Sequence, residues 1–260
     1  MPFVSRGGLR IYQFDSFGPD LLQAVFTRQG GVSPQPWDSL NLGGTVGDDP
    51  ERVRENHRCA FAAMERAPLS LFDVWQVHGT EVAIAEAPHP PLSPHQQADA
   101  ILTDRPGLTL MMRFADCVPI LLHDPLRKVA GIAHAGWLGT VRGIARAAME
   151  AMQFHYGCAP ADILAAIGPS IGPDHYEVGA DVVNQVRQAF GGDATDLLAC
   201  RDGRSFFDLW AANRLLLERA GVRSIEISGL CTACSTTDWY SHRAEKGRTG
   251  RFGVMIALNP

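Results

Sequence analysis

The chain has 260 residues, 46% of them hydrophobic and 20% charged, and a formal net charge of −5. This is ordinary globular usage with apolar material for a sizeable core, so we expect a single domain over residues 1–260. The acidic balance, with dispersed Lys and Arg, excludes the concentrated basic surface that nucleic acid or an anionic membrane requires.

The sequence carries no signal for a membrane or for export. No apolar run reaches the roughly 18 residues that a membrane-spanning helix needs. The N-terminal residues 1–14 lack the apolar core of a signal peptide. We therefore expect a cytoplasmic protein whose six cysteines stay reduced.

Four segments have the end signals and the apolar periodicity of helices. In the first, Asp49 is placed to cap the helix and Pro50 suits its first turn. In the fourth, Asp208 can cap the start and Gly221 can end the helix. The predicted helices cover residues 48–67, 140–157, 179–192 and 208–221.

Seven nearly continuous apolar runs are typical of strands that are buried on both faces. They alternate irregularly with the helices, which argues against a barrel or a simple nucleotide-binding fold. The pattern predicts an α+β fold, layered, with mixed β-sheets. The predicted strands cover residues 81–87, 108–115, 118–124, 129–135, 163–171, 224–230 and 252–258.

Three residues that suit metal binding lie at or near the ends of apolar runs: His78, Cys117 and His134. Imidazole and thiolate are good zinc ligands, and three of them leave a fourth position open for water. Their separations of 39 and 17 residues match no compact zinc motif. A metal-free Cys–His nucleophile pair and purely structural roles therefore stay open as alternatives.

Three other features have competing interpretations. His89 and His95 lie in a Pro-rich segment that we interpret as a surface loop. Cys231 and Cys234 form a C-x-x-C pair, which can be redox-active or half of a zinc site. Because no second pair is present, we interpret them as loop cysteines near a site. The basic segment 243–251 is either an anion-binding loop or a solvated surface loop.

Many ordered motifs resemble the YfiH-like family, long labelled multicopper polyphenol oxidase or laccase domain proteins. The resemblance runs from about residue 22 to the C-terminus. Its segments are FTRQGGVS (26–33), SLNLGGTVGDDPERVRENH (39–57), QVHG (76–79), ADAILTD (98–104), ADCVPILL (115–122), HAGWLGT (134–140), IGPSIG (167–172), YEVG (176–179) and SHRAEKGRTGRFG (241–253).

The resemblance implies a layered sandwich of the YfiH/CNF-like, cysteine-hydrolase type with a single metal centre. It also implies that zinc, with copper as the alternative metal, is bound by the three residues named above: His78, Cys117 and His134. For substrate contacts we select Asn41 and Gln76 from their places in the matching segments, and Arg243 and Arg251 from their charge.

The activity implied by the resemblance is that of a purine nucleoside phosphorylase acting on adenosine, inosine and methylthioadenosine, with adenosine deaminase activity. The partners are then small molecules, a purine nucleoside and phosphate. Zinc deaminases of the better-known kind carry H-x-E, but Thr80 follows His78 by two residues here. Asp116 is the carboxylate that we select as a replacement proton shuttle.

Two alternatives accompany this activity. One is a hydrolase that edits peptidoglycan precursors with Cys117 as nucleophile and His134 as base. The other is copper-dependent phenol oxidation as a side activity, which the absence of any H-x-H pair among nine dispersed histidines disfavours as the main role.

One position departs from the family pattern. Leu138 stands where the family often has a basic residue after H-A-G-W. If that residue holds an anion, this chain lacks the contact. Arg142, one helical turn later, is our candidate to replace it.

Overall fold

The computed structural model describes residues 3–90 and 93–259, which form 15 β-strands and six α-helices. The strands are β1 Phe3–Arg6, β2 Leu9–Tyr12, β3 Leu21–Phe26, β4 Leu71–Phe72, β5 Val82–Ile84, β6 Ala100–Thr103, β7 Thr109–Phe114, β8 Val118–Asp124, β9 Val129–Ala135, β10 Leu164–Ile167, β11 Glu177–Val178, β12 Leu198–Arg201, β13 Arg204–Phe207, β14 Ser224–Ile227 and β15 Phe252–Leu258. The helices are α1 Pro50–Ala63, α2 Trp137–Arg142, α3 Ile144–Tyr156, α4 Ala180–Phe190, α5 Ala194–Leu197 and α6 Leu209–Arg219.

The strands form two six-stranded sheets and one small sheet. The first sheet has the order β1-β2-β3-β15-β7-β4, and the second has the order β14-β10-β8-β9-β6-β5. Both are mixed: β4 pairs with β7 in parallel, as β5 does with β6 and β10 with β14, while the other pairs are antiparallel. The small antiparallel sheet has the order β11-β13-β12.

The two large sheets pack face to face, with helices outside each of them. Alternate side chains of β15, such as Val254 and Ile256, meet Ile132 of β9 in the core between the sheets. Met255 points to the opposite face, where Phe61 of α1 covers the first sheet. The helices α3 and α6 cover the second sheet from outside. The predicted layered α+β fold with mixed sheets is confirmed.

The helix ends follow the predicted caps. The Asp49 side chain accepts the N–H of Glu51 at the start of α1. The Asp208 side chain accepts the N–H of Ala211 in α6. These bonds satisfy backbone donors that have no partner within the helix.

The predicted helix over 140–157 is divided in the structure. It forms two helices, α2 and α3, separated by Gly143 with φ of +85°. Residues other than glycine rarely adopt that backbone conformation, so glycine permits the break between the two helices. The first of the two begins three residues earlier than predicted, at Trp137.

Strands β8 and β9 position the cleft described below. They pair antiparallel with Val118 opposite Ala135 and Pro119 opposite His134. The start of β8 and the end of β9 therefore lie side by side at one edge of the core. Within the described ranges, no helix combines the length and the apolar character needed to span a membrane.

Candidate metal centre and active site

Three potential metal ligands converge where two neighbouring strands meet. Cys117 directly precedes β8, and His134 is the next-to-last residue of β9. His78 comes from the loop between β4 and β5. Their ligand atoms lie within 4.8 Å of one another, and Cys117 Sγ is 3.8 Å from His78 Nε2. The fold thus brings together the three side chains that the sequence singled out.

A buried carboxylate holds this cluster, and the sequence analysis did not select it. Asp99 is fully buried and accepts a hydrogen bond from His134 Nδ1 at 2.8 Å. It also accepts from the backbone N–H groups of Val77, His78 and Gly79 at 3.1, 3.0 and 2.6 Å. Since Nδ1 of His134 is engaged, Nε2 is the nitrogen left to bind a metal.

The electrostatics of the cluster favour a reactive sulfur. Burial alone would raise the pKa of the Cys117 thiol, but His134 and His78 outweigh burial and lower it. Burial alone would lower the pKa of His134, but the Cys117 thiolate and Asp99 raise it instead. The pair is therefore a thiolate and an imidazolium in the absence of metal, and a bound metal ion would displace the imidazole proton.

The backbone beside two of these residues is held in the left-handed region. His78 has φ of +60° and Asp116 has φ of +83°. Such conformations cost about 1–3 kcal/mol each and persist where the surroundings enforce them. Asp99 enforces the first through its backbone bonds. Asp116 is held by hydrogen bonds from Thr232 Oγ1 at 2.6 Å and from the backbone N–H of Arg243 at 2.7 Å.

The distances and the donor set fit a single metal ion such as zinc. Zinc bonds of about 2.3 Å to sulfur and about 2.0–2.1 Å to nitrogen place tetrahedral neighbours roughly 3.3–3.6 Å apart. The observed 3.8 Å between Cys117 Sγ and His78 Nε2 lies close to this. Gly136 packs against the same two side chains, and an added Cβ would lie 3.0 Å from Cys117 Sγ. Three protein ligands leave one position for water or substrate.

A cleft of about 690 Å³ opens onto the cluster, a size that suits a small organic ligand. Its lining combines apolar, aromatic and charged side chains. The residues that line it are Leu42, Gly43, Gly44, Thr45, Val53, His57, Asp73, Val74, Trp75, Gln76, His78, His95, Arg113, Ala115, Asp116, Cys117, His134, Tyr176, His242, Arg243 and Arg251.

Of the three arginines in the cleft, one pairs with a carboxylate, and the other two bond to backbone carbonyls. Arg113 pairs with Asp73 at 2.5 Å. Arg243 instead donates to the carbonyl of Glu177 at 2.9 Å, and Arg251 donates to the carbonyl of Gly250 at 2.8 Å. Over residues 3–90 and 93–259, neither of these two forms a salt bridge with a carboxylate. Two fixed cations beside the cluster suit an anionic ligand.

The two predicted amide contacts have other partners. Asn41 is fully buried outside the cleft lining, and its Oδ1 accepts the N–H of Arg251 at 2.9 Å. Gln76 lines the cleft, but both ends of its amide bond to the backbone of Arg113 at 2.9 Å. Both amides therefore position arginine backbones. Asn41 would have to release a partner to contact a substrate, whereas Gln76 uses one of its two donors and one of its two acceptor positions here.

Arg142, our candidate to replace the basic residue that is missing at Leu138, lies outside the cleft. Arg142 is exposed at the end of α2, and neither it nor Leu138 lines the cleft. Arg113 lines it instead, although it is a strand residue that the sequence analysis passed over. A lone charged residue in the apolar run LTLMMRFA was the signal for it.

The Pro-rich segment has more structure than we expected of a surface loop. The rings of His89 and His95 stack with centroids 4.1 Å apart, and His95 Nε2 lies 3.0 Å from Asp73 Oδ1. These three form a possible ligand group, but Arg113 already neutralises the carboxylate of Asp73. The expected loop at residues 91 and 92 lies outside the described residues.

The fold and site define a class: a layered α+β protein with a His₂Cys cluster, suited to a metal ion, at the floor of a ligand-sized cleft. Residues 22–259 match the family model described as multi-copper polyphenol oxidoreductase laccase. The chain belongs to this family.

Similar proteins cover nearly the whole chain. The purine nucleoside phosphorylase of Deinococcus radiodurans is 43% identical over 235 residues, which are 90% of this chain and 88% of that one. Among solved structures, YlmD from Geobacillus stearothermophilus matches with a TM-score of 0.92 at 33% identity, over 100% and 99% of the two chains. The hypothetical protein YfiH of Bacillus licheniformis has the same TM-score at 31% identity, over 99% of both chains.

Proposed function

We propose that this protein is a metal-dependent purine nucleoside phosphorylase that uses the cleft as its active site. The observation that carries the proposal is the convergence in one cleft of a His₂Cys cluster and two arginines that form no salt bridge among the described residues. A nucleoside needs an apolar pocket, and a phosphate ion needs an anion site beside that pocket. The arginines suit the phosphate. Several similar proteins bear the name purine nucleoside phosphorylase, including those of Deinococcus radiodurans, Streptomyces coelicolor and Pseudomonas aeruginosa.

In phosphorolysis, a phosphate oxygen forms a bond to C1′ of the ribose while the bond from C1′ to N9 of the purine breaks. The purine leaves with the electron pair and takes up a proton, and the other product is ribose 1-phosphate. Negative charge moves from phosphate towards the base during this step. Groups that hold the phosphate in line with C1′ therefore supply most of the acceleration, together with groups that stabilise the leaving base.

The residues of the cleft divide between these two tasks. We assign phosphate binding to Arg243 and Arg251, whose guanidinium groups are held by backbone carbonyls. Trp75 lines the cleft and offers a ring face for the purine, while Tyr176 has one ring face against the guanidinium of Arg243. A zinc ion on the His₂Cys cluster would supply a Lewis acid, or an activated water, at the open coordination position. By its bond to Nδ1, Asp99 fixes the orientation of the His134 imidazole and leaves Nε2 as the nitrogen that would hold the ion.

The finer assignments extend the proposal. We infer that the substrates are adenosine, inosine and methylthioadenosine, that the metal is zinc and that the chain works as one domain in the cytoplasm. Adenosine deamination would use the open position of zinc with a proton shuttle. Each oxygen of Asp116 accepts one hydrogen bond, from Thr232 or from Arg243, and keeps a second lone pair for a proton. Phenol oxidation is a side activity of copper-loaded protein in this account.

The phosphate assignment predicts a selective kinetic defect. Arg251→Gln removes one cation from the cleft and keeps most of the side-chain length. A hydrogen bond to a charged group contributes about 1.5–3 kcal/mol, so KM for phosphate should rise by roughly 10- to 150-fold. KM for the nucleoside should change far less. Steady-state kinetics with each substrate varied in turn give both values.

Arg248→Gln is the matched control, since Arg248 is exposed on the same loop and does not line the cleft. It should leave both KM values unchanged. Equal effects of the two substitutions, or a nucleoside KM that rises as much as the phosphate KM, would remove Arg251 from the phosphate site.

A second candidate function is favoured by one observation. Cys117, His134 and Asp99 form a chain of nucleophile, base and orienting carboxylate, with 2.8 Å between His134 Nδ1 and Asp99 Oδ1. This is the arrangement of a cysteine hydrolase, such as an enzyme that edits peptidoglycan precursors. Activity that survives complete removal of metal but is lost on alkylation of Cys117 would favour it over the phosphorylase.

A further inference from the structure

A second cluster of metal-binding side chains lies apart from the first and shares no residue with it. Asp174 and His175 come from the loop between β10 and β11, and Cys231 and Cys234 from the loop after β14. One ligand atom of each lies within 4.8 Å of the others. The sequence offered no second cysteine pair for the C-x-x-C motif, and the fold supplies a histidine and an aspartate instead.

Three of the four distances quoted below lie in the range of a tetrahedral metal site, and the fourth, between Asp174 and His175, is shorter. His175 Nδ1 is 3.5 Å from Cys234 Sγ and 3.8 Å from Cys231 Sγ. Asp174 Oδ2 is 3.1 Å from the same nitrogen and 3.8 Å from Cys234 Sγ. Around one zinc ion, sulfur, nitrogen and oxygen ligands lie roughly 3.4–3.8 Å from each other. Small side-chain shifts therefore bring all four atoms to bonding distance of one ion.

The surroundings match a thiolate site. The backbone N–H of Gly172 points at Cys231 Sγ at 3.2 Å, and a donor in this place stabilises a metal-bound thiolate. An added Cβ at Gly172 would lie 3.1 Å from Cys231 Cβ, so glycine permits this approach. Cys231 is buried, whereas Cys234, His175 and Asp174 are exposed, which leaves a path for the ion to enter.

The cluster joins two loops that both support the cleft. Thr232, inside the C-x-x-C motif, donates to Asp116 beside the first cluster. On the other loop, Tyr176 lines the cleft under the guanidinium of Arg243, whose Cζ lies 5.2 Å from the ring centroid. A metal ion that ties Cys231 to His175 would therefore fix both the wall of the cleft and the backbone next to Cys117.

We propose that Asp174, His175, Cys231 and Cys234 bind a second zinc ion in a structural site. Two thiolates, one imidazole and one carboxylate fill the tetrahedral shell, so no position stays open for catalysis. The ion stabilises the folded chain, because such a ligand set is not preformed in the unfolded state. The alternative state of a C-x-x-C pair is a disulfide, which would exclude the ion.

Zinc content, measured by mass spectrometry on the purified full-length chain after supplementation with zinc, tests the proposal. The wild-type protein should bind two zinc ions. Cys234→Ser and His175→Ala each remove one exposed ligand and should leave one ion. Cys200→Ser is the matched control, an exposed cysteine outside both clusters, and should retain two. The melting temperature of Cys234→Ser should fall below that of Cys200→Ser.

The zinc content of Cys117→Ala distinguishes a failure of this proposal from a failure of the proposed function. This variant should also lose one ion, and Cys117→Ala combined with Cys234→Ser should lose both. If the first centre binds no metal and the second one does, Cys117→Ala has the same zinc content as the wild-type protein. Cys234→Ser still has a lower zinc content in that case. The second site is overturned if Cys234→Ser keeps the zinc content of Cys200→Ser. It is equally overturned if the unreduced wild-type protein has an intact mass lower by two hydrogens because Cys231 and Cys234 have joined.

Discussion

Cys117→Ala is expected to abolish nucleoside phosphorolysis and to remove the metal ion of the first centre. The substitution deletes the only thiolate among the three ligands and leaves two histidines, a set too small to hold zinc firmly. A metal ion contributes several kcal/mol to catalysis, and 1.36 kcal/mol corresponds to a factor of ten in rate. We therefore expect kcat/KM to fall by about 10³-fold or more, measured with zinc quantified in the same sample.

Cys59→Ala is the control for this substitution. Cys59 is half-buried like Cys117 but lies on α1, outside both ligand clusters. It should retain activity and zinc. A Cys117→Ala variant that keeps both would contradict the assignment of the first centre.

Asp99→Asn should weaken metal binding without removing any ligand. Burial alone would raise the pKa of Asp99, but bonds from His134 and from the Gly79 amide lower it, so the group is a carboxylate at neutral pH. An asparagine of the same size carries only one acceptor oxygen, so it loses some of the four N–H donors and releases the His134 ring. Loss of such a support typically lowers metal affinity by about 10- to 100-fold. Competition with a chelator of known affinity measures the change.

The control for Asp99→Asn is Asp124→Asn. Asp124 is buried in β8, and its Oδ1 accepts from the N–H groups of Leu126 and Arg127, so an asparagine can keep both bonds while the buried charge is lost. It lies at the opposite end of that strand from Cys117. Both substitutions replace a buried carboxylate with an amide, but only Asp99→Asn should lose zinc affinity. Equal zinc affinities in the two would reduce Asp99 to a purely structural residue.

The strands and helices that were predicted well are determined by short stretches of their own sequence. Strands β8, β9 and β15 have the predicted bounds because continuous apolar runs end at polar or small residues. The helix α1 begins where Asp49 and Pro50 indicate. Such local signals need no knowledge of the rest of the fold.

Other elements were missed because they are short or because their signal was overlooked. Strands β12 and β13 form a hairpin around Asp202 and Gly203, which have φ of +49° and +74°. An Asp-Gly pair is a strong signal for such a turn, and it was visible in the sequence. The two-residue strand β4 has no periodicity to detect, since only its parallel neighbour β7 makes it a strand.

The candidate site shows the same division. His78, Cys117 and His134 attract notice because His and Cys are chemically distinctive at the ends of apolar runs. Asp99 does not, since its partner His134 is 35 residues away and only the pairing of β6 with β9 brings them together. For the same reason the sequence left Cys231 and Cys234 without partners, although His175 lies beside them in the fold.

The central claim is that phosphate, not water, attacks the nucleoside in this cleft. The most direct measurement is inosine turnover by zinc-quantified protein, with and without inorganic phosphate, with free base and sugar products both determined. The account predicts one ribose 1-phosphate for each hypoxanthine released, and no release without phosphate. Base release at the same rate without phosphate, with free ribose as the product, would contradict it, as would the absence of turnover by protein that holds its zinc.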